Sequence, residues 1–426
     1  MPTTGAPVDP LGALRRRTVA VLFTGVALGS TGHIAAVTVT SIVALELGRD
    51  RTLAGLPAAA VVLGAAIGAT ILGAIMGRWG RRPGLVSGYL VGLIGALIAI
   101  AGIVAQSFPI LLVGCLAIGF GNSSNQLSRY AAADMYPARR RASAIGIVVW
   151  ASTVGAVLGP NLVEASGNVA VSLGLPRLSG PYLVPLVLVA VAALLSFLLL
   201  RPDPHELADK TADAGQLPRP PARLGDVLRR PTVALAVMAL IAAQFVMMLI
   251  MTMTPLHMTD HGHNLSAVGW VISAHVFGMF ALATLSGRLT DRFGPLPIIA
   301  AGFVLILGSA LLSAVAAPAD ELVLLIALFL LGWGWNLGYV AGSTMLTGGA
   351  SSTERARIQG VADALIWSTS AIASIGSGLL LGAAGFASLG ILGAVIVGVV
   401  GGVLLLGRGS MSRAAAPAAP LSPVID

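Results

Sequence analysis

Three polar side chains in the stretch "GNSSNQLSRYAAAD" fall at i, i+4 and i+7: Asn122, Gln126 and Arg129. On a helix this spacing sets them on one face. Two carboxamides and a guanidinium there could hold a polar or anionic group. Arg129 has an alternative in its near neighbour Asp134, five residues on, or in snorkelling to the nearer surface. A second stretch, "LGWGWNLGYVAGSTM", offers Trp333, Trp335, Asn336 and Tyr339. Broad apolar rings with polar edges suit a large, partly planar ligand. Gln244 adds an amide beside the soft methionines Met247, Met248, Met251 and Met253.

Proton chemistry has two candidates. His33, in "GSTGHIAAV", carries an imidazole that exchanges a proton near neutral pH, or else serves as a neutral ring bonded to a hydroxyl. Asp363, in "IQGVADALIW", is a carboxylate whose proton comes and goes according to whether a cation reaches it. His275 is read as a structural imidazole. The cluster His257, Asp260, His261 and His263 in "PLHMTDHGHNL" has metal-binding types, but its spacing matches no defined site, so no metal is expected.

The elements that carry these groups are set by composition. Of 426 residues, 56% are hydrophobic and 10% charged, against about 25% charged in soluble domains. Twelve apolar runs, the first at 18–46 and the last at 388–407, are each long enough to cross a hydrocarbon layer of about 30 Å as a helix. Asn122, Gln126, Arg129, Gln244, His33 and Asp363 all fall inside such runs. Polar groups are costly there and mark substrate or ion handling by default.

Basic residues fix an expected orientation. With the N-terminus inside, 21 of the 25 Lys and Arg fall on cytoplasmic segments and 3 outside, the remaining one being Arg129. The expectation is a multi-pass protein of the cell membrane with both termini cytoplasmic. Attraction to anionic lipid accounts for the net charge of +8, so nucleic acid is not an expected partner. The single cysteine, Cys115, has no partner for an intramolecular disulfide, and the single lysine, Lys210, lies in no phosphate-binding loop. Neither an enzyme nor a cofactor is expected.

The chain also repeats itself. "GAIMGRWGRRPG" at 73–84 is echoed by "GRLTDRFGP" at 287–295, and "RASAIG" at 141 by "RARIQG" at 355. Gly73 to Gly287 and Arg141 to Arg355 share one offset of 214 residues. A charged, proline-bearing stretch, 201–232, separates the copies and reads as a cytoplasmic linker with a short amphipathic helix near 222–230. The expected organisation is a six-helix bundle over 1–200, the linker, a second bundle over 233–407 and a tail at 408–426. Such repeats in a helical membrane protein point to a transporter with its site between the halves.

These features resemble the major facilitator superfamily, and within it the 12-span drug:proton antiporters. The loop signature of that family, G-x-x-x-D-R-x-G-R-R, is matched by Gly73, Arg78, Gly80, Arg81 and Arg82, with Gly77 in place of the acid. The second copy keeps Gly287, Asp291, Arg292 and Gly294. The resemblance implies an all-α membrane fold of 12 helices in two pseudo-symmetric six-helix bundles, working as a monomer by alternating access. It also implies that Asp291 latches the start of the fifth span beside Arg140 and Arg141, since a carboxylate is favoured at a helix N-terminus. In the first copy the expectation is that Arg78 and Arg81 pair with Glu354 or Asp363.

Gly155, Gly159 and Pro160 match the G-x-x-x-G-P core of the exporter motif in the fifth span, although G-x-x-x-G also serves plain helix packing. Cys115 stands where similar exporters carry an arginine in the fourth span. The resemblance therefore implies proton-coupled export of a hydrophobic or amphipathic small molecule, with substrate, protons and the lipid bilayer as partners. Uptake of a small, anionic metabolite, a lipid flippase and a non-transporting sensor are the alternatives.

Overall fold

The computed structural model describes residues 12–47, 56–204, 206, 225–226, 229–263, 265–315, 320–346 and 352–414. Most of the linker, with much of its expected amphipathic helix, and the end of the tail lie outside the described residues. Twelve helices are long and apolar enough to cross a membrane. We number them α1 (Gly12–Ala44), α2 (Leu56–Trp79), α3 (Arg81–Val104), α4 (Phe108–Asp134), α5 (Arg141–Ser172), α6 (Arg177–Leu199), α7 (Pro231–Met258), α8 (Trp270–Phe293), α9 (Pro295–Val315), α10 (Glu321–Leu346), α11 (Glu354–Ala384) and α12 (Phe386–Leu406). Among the described residues there is no strand.

Several helices outrun the apolar runs that announce them. The fifth continues to Ser172, and the last continues to Ala414, beyond the expected end of its run at 407. Backbone hydrogen bonding persists past the apolar core, because a helix satisfies its own polar groups on either side of the membrane boundary.

The helices form two bundles of six. In the first, α1 packs on α5 and α6, while α2 and α3 flank α4. In the second, α7 packs on α10, α11 and α12, while α8 and α9 flank α10. The halves meet where α2 lies on α11 and α8 lies on α5. Glycine permits both crossings: a Cβ at Gly73 would sit 2.7 Å from the Cα of Gly360, and one at Gly287 would sit 2.5 Å from the carbonyl oxygen of Ala142. The same offset of 214 residues relates these contacts, since Gly73 and Ala356 become Gly287 and Ala142 when the halves are exchanged. The repeat in sequence is thus a two-fold repeat in packing.

Candidate functional site

The polar centre of the molecule lies between α4 and α11. Arg129 and Asp363, 1% and 2% exposed, form an ion pair of 2.6 Å from one half to the other. The Tyr130 hydroxyl accepts from Arg129 Nη2 at 2.8 Å and donates to Asp363 Oδ1 at 3.3 Å. Arg129 Nε donates to Ser343 Oγ at 3.2 Å, and its Nη1 donates to the Gln126 carbonyl. The guanidinium also lies 4.1 Å from the Tyr130 ring centre and 4.3 Å from that of Tyr339, a cation between two ring faces. Asp363 Oδ2 alone in this group is buried without a hydrogen-bond partner.

A buried charge without its partner is strongly disfavoured, so the pair ties α4 to α11. Protonating Asp363 removes the opposite charge that holds Arg129 and frees the guanidinium for another anion. This arrangement can therefore exchange a proton for a change in the contact between halves. The expected alternative for Arg129, pairing with Asp134, is not what forms. Five residues of helix separate them along α4, whereas Asp363 stands directly across.

Around this pair runs a chain of aromatic rings and amides. Trp335 and Tyr339 stack at 4.5 Å and 18°, being one turn apart on α10. The Tyr339 hydroxyl donates to Gln126 Oε1 at 2.6 Å, and Trp335 Nε1 donates to Gln244 Oε1 at 2.7 Å. Gln244 Nε2 continues the chain to Ser370 Oγ at 2.8 Å. Helices α4, α7, α10 and α11 thereby share one hydrogen-bonded surface of planar groups.

Other residues of the sequence-based set go elsewhere. Asn336, fully buried, donates to the Met279 carbonyl at 2.7 Å and accepts from Ser286, so it locks α10 to α8. Trp333 lies beside Phe329, with ring centres 6.1 Å apart, near the close approach of Gly278. It stands two residues, or about 200° of helical turn, from Trp335 and cannot share its face. Asn122 accepts from Asn125 at 3.0 Å and, with His33, Tyr89 and Asn125, lines a cavity of about 10 Å³ inside the first bundle. That is room for about one water. His33 Nδ1 and Asn125 Oδ1 have no partner there. His275, fully buried, bonds the Leu328 carbonyl through Nδ1 at 2.9 Å.

The signature loops sit at one end. Asp291 accepts from the backbone N–H of Ala142 at 3.0 Å and of Ser143 at 2.9 Å, capping the start of α5. It engages backbone: Arg140 is exposed, and Arg141 Nε donates to the Tyr136 carbonyl at 3.2 Å. At the first loop the expected pairing with Glu354 or Asp363 is replaced by another. Arg81 binds Asp134 at 2.7 Å in its own half and reaches Gln359 Oε1 at 2.7 Å across the interface, while Arg355 Nε donates to the other Asp134 oxygen at 3.1 Å. Asp363 lies one turn deeper on α11 than Gln359, out of reach of a loop arginine. Arg78 is exposed and stacks on Trp79 at 5.2 Å, and Glu354 is half-buried at the start of α11.

Asp203, just past α6, accepts from the N–H of Arg81 at 3.0 Å and of Arg82 at 2.8 Å. Gly80 makes room for it with φ of 99°, a region that favours glycine. In α5, Gly155 and Gly159 admit α1: a Cβ at each would meet Ser30 at 2.6 Å and Ile34 at 2.8 Å, with Pro160 inside the helix. Tyr130, Ser343, Ser370, Gln359, Asp134 and Asp203 were not singled out from sequence as parts of the site. Only Ser343 carries a usable signal, since the offset of 214 maps Arg129 onto it, and equivalent positions meet at the pseudo-two-fold axis. Among the described residues, no group of three or more His, Cys, Asp or Glu is placed to hold a metal ion.

Two six-helix bundles with a charge pair and an aromatic-amide chain buried between them have the organisation of a membrane transporter. The Major Facilitator Superfamily model matches residues 19–268 and 236–423, and the chain belongs to that family. The MFS-type transporter YddS of Bacillus subtilis is 36% identical over 389 residues, 90% of this chain and 89% of that one. The riboflavin transporter RfnT of Brucella anthropi is 33% identical over 385 residues, 90% of this chain and 94% of that one. Among solved structures, the E. coli fucose:proton symporter FucP superposes with a TM-score of 0.73 at 17% identity, covering 92% of this chain and 98% of that one. The human organic anion transporter MFSD10 gives 0.71 at 16%, covering 92% and 99%.

Proposed function

We propose that this chain is a proton-coupled exporter of a planar, amphipathic small molecule. The observation that carries the reading is the buried Arg129–Asp363 pair, which joins the two halves and leaves Asp363 Oδ2 open to a proton. Proton uptake by Asp363 breaks the bridge and frees Arg129; substrate then competes for Arg129, the Trp335–Tyr339 stack and the Gln126 and Gln244 amides. The excess of basic residues assigns the signature-loop end, with both termini, to the cytoplasm. Export is the direction favoured by the resemblance of Gly155, Gly159 and Pro160 in α5 to the exporter motif.

The likeness to RfnT makes riboflavin the first compound to try, because a flat tricyclic ring with hydrogen-bonding edges suits stacked aromatics between two amides. The buried Arg129 cation, able to hold a polar or anionic group of an entering molecule, favours a second reading, proton-linked uptake. Purified protein in liposomes with riboflavin inside and an imposed proton gradient tests both. Gradient-driven flavin efflux supports export, and accumulation under the reverse loading supports uptake. No gradient-dependent movement of riboflavin or of other planar amphiphiles in either direction refutes the mechanism.

A further inference from the structure

A second cavity lies away from this centre, at the end opposite the signature loops. It encloses about 610 Å³ between the ends of α7 and α9 and the α11–α12 turn. That is the size of a small-molecule site. One wall is rich in glycine: Gly378, Gly382 and Gly385 line it beside Leu381, and a Cβ at any of the three glycines would meet nothing within 4 Å. The facing wall is the Phe386 ring, stacked on His257 at 4.2 Å and 8°. A flat or chain-like apolar body fits between a glycine wall and a ring.

The cavity also holds polar groups that protein does not satisfy. His257 is 8% exposed and Ser313 1% exposed, and both line it, yet His257 Nε2 and Ser313 Oγ have no hydrogen-bond partner. Buried polar atoms are almost always paired, so two such atoms on residues of one cavity wall leave hydrogen bonds that a small rotation of either side chain would offer to a bound group. At the mouth stand Asp260 and His261, both exposed. His261 Nδ1 contacts the His257 carbonyl at 2.7 Å and so is its N–H nitrogen, leaving Nε2 of a neutral ring as an acceptor. A carboxylate and an imidazole acceptor read hydrogen-bond donors.

We propose that this chamber is a second, peripheral binding site for an amphiphile with an apolar body and a hydroxyl- or amine-bearing end. Such a molecule arrives either from the outer leaflet or from water, and the site is independent of the Arg129–Asp363 centre. The glycine wall supplies a clean test. Gly382→Leu fills the chamber without displacing backbone, and His257→Ala removes the ring that faces it.

Full-length protein is titrated with lysophosphatidylethanolamine as the bilayer-derived probe and with riboflavin as the aqueous one, bound molecules being counted by native mass spectrometry. Wild type is expected to bind one more molecule of at least one probe than Gly382→Leu, with affinity falling at least tenfold in the variant. Loss confined to the lysolipid assigns a lipid source, and loss confined to riboflavin an aqueous one. Thermal unfolding checks that the variants remain folded, with Gly378→Leu replacing any that is not. Equal binding of both probes by wild type and a folded cavity-filled variant overturns the proposal.

Discussion

Arg129 on α4 and Asp363 on α11, 234 residues apart in the chain, meet at 2.6 Å between the two halves of the molecule. Neither is held by its own bundle alone. The pair is therefore a contact between the halves, and under the proposed mechanism it is the contact that must break for them to part.

Removing one partner leaves the other charged and buried. Asp363→Asn should cost about 3 kcal/mol of stability, and Arg129→Met with Asp363→Asn should recover much of it, because deleting both ends removes the uncompensated charge. Thermal unfolding of the single and double variants measures the coupling. Additive losses would mean the pair is not an energetic unit.

Proton coupling follows the same carboxylate. In the wild type, lowering pH on the side to which the centre opens should neutralise Asp363, release Arg129 and accelerate exchange. Asp363→Asn carries a permanently neutral group and should transport down a substrate gradient with a flat pH profile while losing accumulation driven by protons. Vesicle flux at a series of pH values reads both; an unchanged pH dependence in the variant would remove Asp363 from the mechanism.

The aromatic-amide chain should govern affinity. Trp335→Leu removes both the stack on Tyr339 and the N–H that holds Gln244. An aromatic contact of this kind contributes about 0.5–1.5 kcal/mol, so KM for a planar substrate should rise about two- to twelvefold. Trp333→Leu, on another face of α10, should leave KM unchanged. Paired KM values for the two variants discriminate between the faces.

The two signature loops differ in a way that can be tested directly. Asp291→Ala removes the cap on α5, worth about 1 kcal/mol, and should shift the gate about fivefold toward opening at that end. Gly77 is the counterpart of Asp291 at the offset of 214, so Gly77→Asp should place a carboxylate at the start of α11 and slow turnover by holding the same end shut. Accessibility of cysteines introduced beside Gly360, together with turnover, measures both. A faster Gly77→Asp variant would show that the missing acid is not a missing latch.

The sequence by itself determined the architecture. Apolar runs of membrane length dictate helices, because no other open structure satisfies its backbone in lipid. The 214-residue repeat dictates two equivalent halves, and glycine at 73, 287 and 360 marks where their helices touch. It also brought forward Arg129, Asp363, Gln126, Gln244, Trp335 and Tyr339 as polar or ring-bearing groups within spans.

Which of these meet was decided only by the tertiary structure. Residues on one helix face, such as Asn122 and Gln126, part company when one turn looks into its own bundle and the next looks across the interface. Arg81 finds Asp134 and Gln359 instead of Glu354 or Asp363, because reach depends on depth along two antiparallel helices. Asp203, 121 residues beyond Arg82 in sequence, arrives at the start of α3. Pairing across the halves depends on rotation and depth of whole helices. A periodicity in one strand of sequence fixes the face of each helix but not its angle to the next.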